Sequence, residues 1–553
     1  MYRDDLKIRE LGQLGGMYSL RVPVVVTLLL VFALAAAVSS LYGLGGGLSR
    51  DGAIYLYSGQ RMAEGVPPYV SVFDHKGPLA PMLAGAGVML SKLLNSNDVM
   101  TVRVVFFLMG CLAVVSAYLL GSSLFKSQRA GIFAALTFLT FFCFGRYATA
   151  EPEAKTPMLL FEVLALLLTS QKRWFWAGLC GSLAFLVWQP MVVFPLVTLI
   201  LAASQPAGAR SSALLRAVSG AGLPVAATVA YFYVEGALYE LINGSILFNL
   251  RYLNQEKVSS MAPQLVAPAR AIFQGYTTIL IPMVICAMLA AVVISAVTLG
   301  RLYLPKGPAR LSLGNVATRE TFAPVLLSLP FPVIWSMMDF QGYPDFFVFI
   351  PYVAIGFGGF LYFVADRVEA AHGASLGGVR RSFVPIMYAL LTAIAVISSL
   401  ITIKLAAQVS SLDMDGRGPK PGDFDYQQKA AAQVRERFGE DAKIASIGVP
   451  QLLVLLSERN PNAYAFIIRG IDREIALRTP GGFEGWLQEL GAYDPDVIAF
   501  GKTSGKYKPE LMDWLRSHYV REQIGPWIVF VKEEHAVQAR VLLEQRLRRA
   551  GNV

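Results

Sequence analysis

Residues 49–79, which read SRDGAIYLYSGQRMAEGVPPYVSVFDHKGPL, are the longest polar interruption in the apolar first half of the chain. They hold two carboxylates, Asp51 and Asp74, and two cations, Arg61 and Lys76. A positioned carboxylate can take up a proton during a reaction, and a lysine or arginine can bind an anionic group. We therefore expect this stretch to contribute an active-site loop on the outer face of a membrane enzyme.

Asp51 directly follows the first long apolar segment, residues 24–44. Two interpretations fit this position. Aspartate is a favoured N-cap residue, so Asp51 could simply cap a helix that starts at Gly52. A partly desolvated carboxylate at a membrane surface could also act as a general base for a hydroxyl that attacks an activated sugar.

Asp74-His75-Lys76 closes the same stretch. The ammonium group of Lys76 is suited to a lipid phosphate, although a lysine at this place could equally anchor the chain among lipid headgroups. Asp74 could simply pair with Lys76 or Arg61.

A second polar loop, at residues 145–155, combines two cations, Arg146 and Lys155, with the sequence Glu151-Pro-Glu153. A solvated turn would explain it, but two acidic loops that meet over one cavity would make a polar site above a lipid-accessible groove. A third loop, residues 235–275, contains Arg251 and the pattern Asn243-Gly-Ser245, which is a weak match to a glycosylation acceptor. Arg251 is a candidate for lipid-phosphate contact, with headgroup contact as the alternative.

The composition indicates a polytopic membrane protein. Of the 553 residues, 55% are hydrophobic and 16% are charged, whereas a soluble domain carries about 25% charged residues. The net charge of +10 comes from Lys and Arg in short loops between apolar runs, a pattern typical of membrane topology and not of nucleic-acid binding. The four cysteines and four histidines are scattered, without the spacing of a metal site.

Twelve apolar segments are candidates for membrane helices, and several of them are shorter than the ~20 residues that normally span: residues 24–44, 78–94, 99–121, 130–145, 156–170, 174–189, 191–203, 217–234, 276–299, 321–338, 346–364 and 383–405. Loop charges place the N-terminus in the cytoplasm and the first three loops outside, together with a short fourth loop at residues 339–345. This arrangement requires that one segment does not cross, and residues 78–94, with two prolines and two glycines, best suit a re-entrant or in-plane segment. We thus expect eleven crossings and an extracytoplasmic C-terminus.

The domain organisation changes after residue 405. Residues 1–405 are predicted to form the transmembrane domain, 406–425 a linker and 426–553 a soluble α/β domain outside the membrane. Strands are predicted at residues 443–449, 496–501 and 527–532, and helices at 426–438, 509–517 and 534–549. Asp413-Met-Asp415 in the linker matches a DxD pattern only weakly, and the sequence leaves open whether a divalent metal ion takes part.

The stretch YLYSGQRMAEGVPPYVSVFDHKGPL after Asp51 resembles the first outer loop of C-type glycosyltransferases, through Gly65, Pro68-Tyr69, Asp74, Lys76 and Pro78. This superfamily includes protein O-mannosyltransferases and lipid A aminoarabinose transferases. Residues 146–160 resemble its second acidic motif, and LLVLLSERNPNAYAF resembles an outer-domain segment of many relatives.

The resemblance implies inverting transfer of a hexose or pentose from a polyprenyl-phosphate or dolichol-phosphate donor to an extracytoplasmic glycolipid, cell-wall glycan or protein. It implies Asp51 as the base, with Glu153 or Glu151 as the second acidic residue. Lys76 would bind the donor phosphate, and the remaining candidates are Arg61, Arg146 and Arg251 for the phosphate and Asp74, Tyr69 and Tyr55 for other substrate contacts. The residues alone also admit a carrier for a lipid-linked sugar or a non-catalytic envelope assembly protein. The chain shows no internal repeat, and its charges lie in loops, which favours the enzyme.

Overall fold

A computed structural model describes residues 22–141, 144–146, 148, 152–255, 319–338, 343–372, 383–411, 424–468 and 470–535 of the chain. The protein is a helical polytopic membrane protein, and all strands in the described ranges follow residue 443. The helices before residue 256 are α1 (Val22–Ser40), α2 (Arg50–Met62), α3 (Leu79–Leu94), α4 (Asp98–Phe125), α5 (Gln128–Leu139), α6 (Lys155–Ser170), α7 (Trp174–Val187), α8 (Val193–Ala203), α9 (Ala207–Val234), α10 (Leu238–Ile242) and α11 (Phe248–Gln255).

Between α10 and α11 the chain forms a π-helical turn, Asn243–Leu247, and a 3-10 turn, Gln189–Val192, precedes α8. Further along are α12 (Arg319–Ser328), α13 (Pro330–Met338), a 3-10 turn (Tyr343–Phe349), α14 (Ile350–His372) and α15 (Phe383–Ser411). The apolar segment predicted at residues 276–299 lies outside the described ranges.

Four helical stretches within the described part of the chain are long and apolar enough to cross a membrane: Asp98–Phe125, Ala207–Val234, Asp345–Val368 and Val384–Ile401. Each coincides with a predicted apolar segment. Helix α3, within the predicted segment 78–94, has 16 residues and is therefore about 24 Å long, less than the ~30 Å hydrocarbon core of a bilayer. Its non-crossing position and the count of eleven crossings stay predictions.

Helix α2 lies in the stretch that the sequence predicts as an active-site loop, with a helix from Gly52 as one interpretation of Asp51. It is amphipathic and almost entirely buried, from Gly52 to Arg61, and it packs on α3 at a close crossing. A Cβ atom at Gly59 would lie 2.7 Å from the backbone nitrogen of Gly85. Two glycines thus allow the backbones of α2 and α3 to approach each other, which places the first loop against the helical bundle.

The C-terminal region contains α16 (Phe424–Phe438), β1 (Ile444–Ile447), α17 (Pro450–Leu456), α18 (Ile471–Arg478), α19 (Gly482–Tyr493), β2 (Val497–Phe500), α20 (Lys508–His518), β3 (Val520–Ile524) and β4 (Trp527–Val531). The sheet order is β1-β2-β4-β3, with β1 and β2 parallel and the other pairs antiparallel. Three of these strands lie where the sequence predicted them, and β3 was not predicted. The predicted domain boundaries stay predictions, although α15 continues past residue 405 to Ser411.

The C-terminal region packs directly on the first loop. The backbone N–H of Phe73 donates to the carbonyl of Ala463 at 2.7 Å, and the N–H of Asn460 donates to the hydroxyl of Tyr57 at 2.9 Å. One bond is made by α2 itself and the other by the chain that follows it, so together they fix the loop between the helical bundle and the sheet region.

Candidate active site

Helix α2 begins two residues earlier than a cap at Asp51 would allow. Ser49 is the N-cap, and its hydroxyl accepts the N–H of Gly52 at 3.0 Å. The prediction that Asp51 caps a helix starting at Gly52 is therefore wrong. Asp51 lies instead in the first turn of α2, where its negative charge is favoured by the helix dipole and its carboxylate is left for other partners.

Asp51 is paired with two cations. Its Oδ2 lies 3.3 Å from Nζ of Lys76 and its Oδ1 lies 3.3 Å from the guanidinium of Arg50. Lys76, as the largest influence, and Arg50 lower the pKa of Asp51 from the ordinary 3.8 to about 2, against the opposing effect of burial. The side chain of Asp51 is 41% exposed, so this carboxylate is both ionised and accessible.

Lys76 lies at the centre of a cluster of polar side chains that also contains Asp51, Tyr55, Asp74 and Glu153. Its ammonium lies 5.4 Å from the ring centre of Tyr55 as well as beside Asp51. Burial alone would lower the pKa of Lys76, but Tyr55 and the carboxylates of Asp51, Glu153 and Asp74 together hold it well above its ordinary value. Lys76 is therefore a stable cation to which the first and second loops both contribute negative charge.

The second loop reaches the cluster through Glu153, which is only 6% exposed. Neighbouring Lys155 interacts electrostatically with both Glu153 and Lys76. Of the two acidic candidates in this loop, Glu153 thus lies in the cluster, while Glu151 falls outside the described ranges.

Sequence reasoning missed three residues here. Lys155 is buried, and its ammonium pairs with Oδ1 of Asp345 at 3.1 Å and lies 3.1 Å from the ring centre of Trp188. Asp345 comes from the fourth loop, and Trp188 from the end of α7. The available signal was a lysine at the start of one apolar helix and an aspartate just before another, but sequence distance hides that the two loops meet.

Tyr69, Tyr55 and Asp74 line a small cavity next to Lys76. Tyr69 has a left-handed backbone with φ of 67°, and its hydroxyl donates to the carbonyl of Lys76 at 2.7 Å. The buried hydroxyl of Tyr55 has no hydrogen-bond partner among the described residues. Asp74 accepts the N–H of His75 at 2.7 Å, so its direct partner is neither Lys76 nor Arg61.

Two of the three arginine candidates, Arg61 and Arg251, pair with carboxylates outside the cluster. Arg61 lies about 15 Å along α2 from Asp51, buried and paired with Glu64 at 2.6 Å. Arg251 pairs with Glu474 of α18 at 2.7 Å, and Arg146 is exposed. Arg61 and Arg251 are therefore held by Glu64 and Glu474, and neither forms part of the cluster around Lys76.

Within the described ranges, the carboxylate and histidine side chains close enough to share an ion are Asp496, Glu534 and His535, which lie beside the sheet. Asp496 is there bonded to Lys532 at 2.8 Å, so a cation already occupies its oxygen. Asp413 and Asp415 lie outside the described ranges.

An exposed carboxylate paired with a stable lysine can support a proton transfer next to a bound anion. The pair lies where loops from a membrane bundle meet. Fold and site together define a helical membrane protein with a polar site suited to an anionic group.

The family model described as dolichyl-phosphate-mannose-protein mannosyltransferase matches residues 75–232. This range includes Lys76 and Glu153 and begins after Asp51. No curated protein matches the chain significantly in sequence.

Solved structures match over nearly the full length. ArnT from Cupriavidus metallidurans bound to undecaprenyl phosphate has a TM-score of 0.53 at 12% identity, covering 91% of this chain and 97% of that chain. The apo state of the same protein has a TM-score of 0.52 at 14% identity, with the same coverage. The chain shares the ArnT fold, and the match over residues 75–232 agrees with the resemblance of its first loop to C-type glycosyltransferases.

Proposed function

We propose that the protein is a membrane glycosyltransferase that moves a sugar from a polyprenyl-phosphate donor to an acceptor hydroxyl with inversion. The observation that carries this proposal is the Asp51–Lys76 pair, in which an ionised, accessible carboxylate lies 3.3 Å from a stable cation. The match to a mannosyltransferase family over residues 75–232 and the shared ArnT fold support it.

In the proposed reaction, Asp51 accepts the proton of the acceptor hydroxyl. The acceptor oxygen then forms a bond to the anomeric carbon, and the bond from that carbon to the phosphate oxygen breaks. The electron pair leaves with the polyprenyl phosphate, whose added negative charge Lys76 stabilises. Glu153 adds a second negative charge near Lys76 and could bind sugar hydroxyls.

The resting ion pair also suggests how the base becomes effective. A carboxylate with a pKa of about 2 is a weak base at neutral pH. A donor phosphate competes with Asp51 for the ammonium of Lys76, and weakening that pair raises the basicity of Asp51. The base would therefore become stronger only when the donor is in place.

Purified protein in lipid nanodiscs would be tested with radiolabelled polyprenyl-phosphate sugars. Asp51→Asn keeps the size of the side chain but cannot accept the proton, so we expect turnover to fall by at least about 100-fold. Asp513→Asn, an exposed change on α20, is the matched control and should retain wild-type turnover.

Two other results of this experiment would contradict part or all of the proposal. Turnover that survives in Asp51→Asn would move the base to another carboxylate, such as Glu153 or Asp74. If wild-type protein binds the labelled donors but never releases sugar, the protein is a carrier and the enzymatic proposal is wrong.

A further inference from the structure

Side-chain hydrogen bonds restrain the main chain at His75 and Lys76. The carbonyl of His75 accepts hydrogen bonds from Asn249 at 2.7 Å and from Gln189 at 2.9 Å. The carbonyl of Lys76 accepts the hydroxyl of Tyr69 at 2.7 Å. Three side chains from three separate elements thus converge on two consecutive peptide groups, far more than a solvated loop needs.

Close packing adds to these bonds. A Cβ atom at Gly77, the residue after Lys76, would collide with the carbonyl of Leu186 at the end of α7. Phe248, next to Asn249, packs edge-on against Phe73 with ring centres 5.2 Å apart. The peptide of Lys76 therefore has little freedom to move while α11 stays in place.

The segment that supplies Asn249 is in turn bound to the C-terminal region. Glu474 on α18 is 4% exposed, and its two oxygens accept from Asn243 at 3.0 Å and from Arg251 at 2.7 Å. Arg478 bonds both Glu474 and Asn243, each at 2.6 Å. We name this group of four side chains the Glu474 junction.

The junction and Asn249 belong to one short stretch of chain. Asn243 opens the π-helical turn, and Asn249 and Arg251 lie in the next helical turns. The carbonyl of Ser245 in this turn accepts from both Gln189 and Asn249 at 3.0 Å. A displacement of Glu474 would therefore pass through hydrogen bonds and rigid helix to the carbonyl of His75.

We propose that Asn249 is a positioning residue for Lys76, and that the C-terminal region sets this position through the Glu474 junction. The inference rests on the proposed function, because it takes Lys76 as the group that binds the donor phosphate. Asn249 itself holds the main chain, and the ammonium of Lys76 contacts the phosphate. The C-terminal region then serves donor binding from a distance.

The test is binding of undecaprenyl phosphate, without sugar, to the full-length protein in nanodiscs. Asn249→Asp keeps the shape but loses the donor N–H, and Asn249→Ala removes the group. Both variants lose the hydrogen bonds of Asn249 to the carbonyls of His75 and Ser245, so we expect affinity reduced by about fivefold or more. Glu474→Gln should also weaken binding. In turnover assays the KM for the donor should rise, while kcat stays near that of the wild type.

The matched control is Arg459→Ala. Arg459 forms another ion pair between the C-terminal region and the first loop, with Glu64 at 3.0 Å, but this pair does not lead to His75. We expect this variant to bind undecaprenyl phosphate within about twofold of wild type, since an exposed ion pair is worth little.

A double-mutant cycle separates positioning from general damage. If Asn249 acts through Lys76, then Lys76→Met with Asn249→Asp binds no more weakly than Lys76→Met alone. Additive losses would overturn the inference, and so would wild-type affinity in the Asn249 variants while Lys76→Met binds weakly. If Lys76→Met itself binds like wild type, the phosphate role in the proposed function fails, and the inference fails with it.

Discussion

Arg50 contacts the oxygen of Asp51 that Lys76 does not, at 3.3 Å. Arg50→Gln removes one of the two cations that lower the pKa of Asp51 but leaves Lys76 in place. We expect the pKa of Asp51 to rise from about 2 toward the ordinary 3.8, because the lost charge no longer favours the ionised form. Infrared difference spectroscopy during acid titration, with Asp51→Asn as the blank, measures this shift.

The lowered pKa of Asp51 also determines how its ion pairs change the stability of the protein with pH. A carboxyl whose pKa is lowered by folding contributes stability above the unfolded-state pKa, and this contribution disappears as the pH falls toward the folded-state value. For Asp51 the window runs from about pH 4 down to about pH 2. An unchanged protonation midpoint in Arg50→Gln would show that Arg50 does not act on Asp51.

At the scale of elements, the π-helical turn Asn243–Leu247 packs so closely against the first loop that Gly244 has no space for a side chain. A Cβ atom at Gly244 would lie 2.5 Å from the ring of Tyr69 and 2.8 Å from the carbonyl oxygen of Asp74. Gly244→Ala should push this turn away from the loop at a cost of about 1–3 kcal/mol. Thermal unfolding should show a lower Tm, and the donor KM should rise because Asn249 moves with the turn.

The control for this change is Gly222→Ala. Gly222 lies inside helix α9, and a Cβ atom there meets no other atom within 4 Å. Alanine favours a helix over glycine, so this variant should be as stable as wild type or slightly more so. A Gly244→Ala protein that also keeps wild-type Tm and KM would disprove the close packing of this turn.

At the scale of the whole molecule, Gln427 joins the C-terminal region to the chain just before α2. Its amide accepts the N–H of Leu48 at 2.7 Å and donates to the carbonyl of Leu48 at 3.1 Å. Both residues are buried. Gln427→Ala leaves the buried N–H of Leu48 without its partner, at a cost of about 1–3 kcal/mol.

We expect Gln427→Ala to lower the Tm of the protein in detergent and to make its C-terminal region easier to cleave by protease. Gln523→Ala is the control, because Gln523 is exposed and bonds only within its own hairpin, to the carbonyl of Gly525. Equal Tm values for the two variants would mean that the contact with Leu48 does not contribute to the interface.

The amino-acid sequence alone determined the class of protein and the first loop as its centre. Long apolar runs bounded by Lys and Arg predict membrane helices because a helix satisfies all of its backbone polar groups within one segment in lipid. The spacing from Asp51 to Lys76 is local, so the loop could be recognised without a fold. Strands such as β1 and β4 were equally predictable, since short apolar runs between turns are typical of strands.

Only the tertiary structure decided which distant residues meet. Arg61 is close to Asp51 in sequence, yet α2 carries it to the other end of the helix and onto Glu64. Asn243 carries a glycosylation pattern, but it is buried and bonded to Glu474, which leaves no room for a glycan. Local patterns do not encode such pairings, because they depend on how separate helices pack.

The same reason explains the composition of the site. Asp345 lies at the end of the fourth loop and Lys155 at the end of the second, and nothing in their neighbours along the chain relates them. Helix packing brings them within 3.1 Å, and Lys155 in turn lies in the electrostatic field of Lys76. The sequence shows which residue types are present. Only the fold determines which of them share one site, because burial and charge act through space.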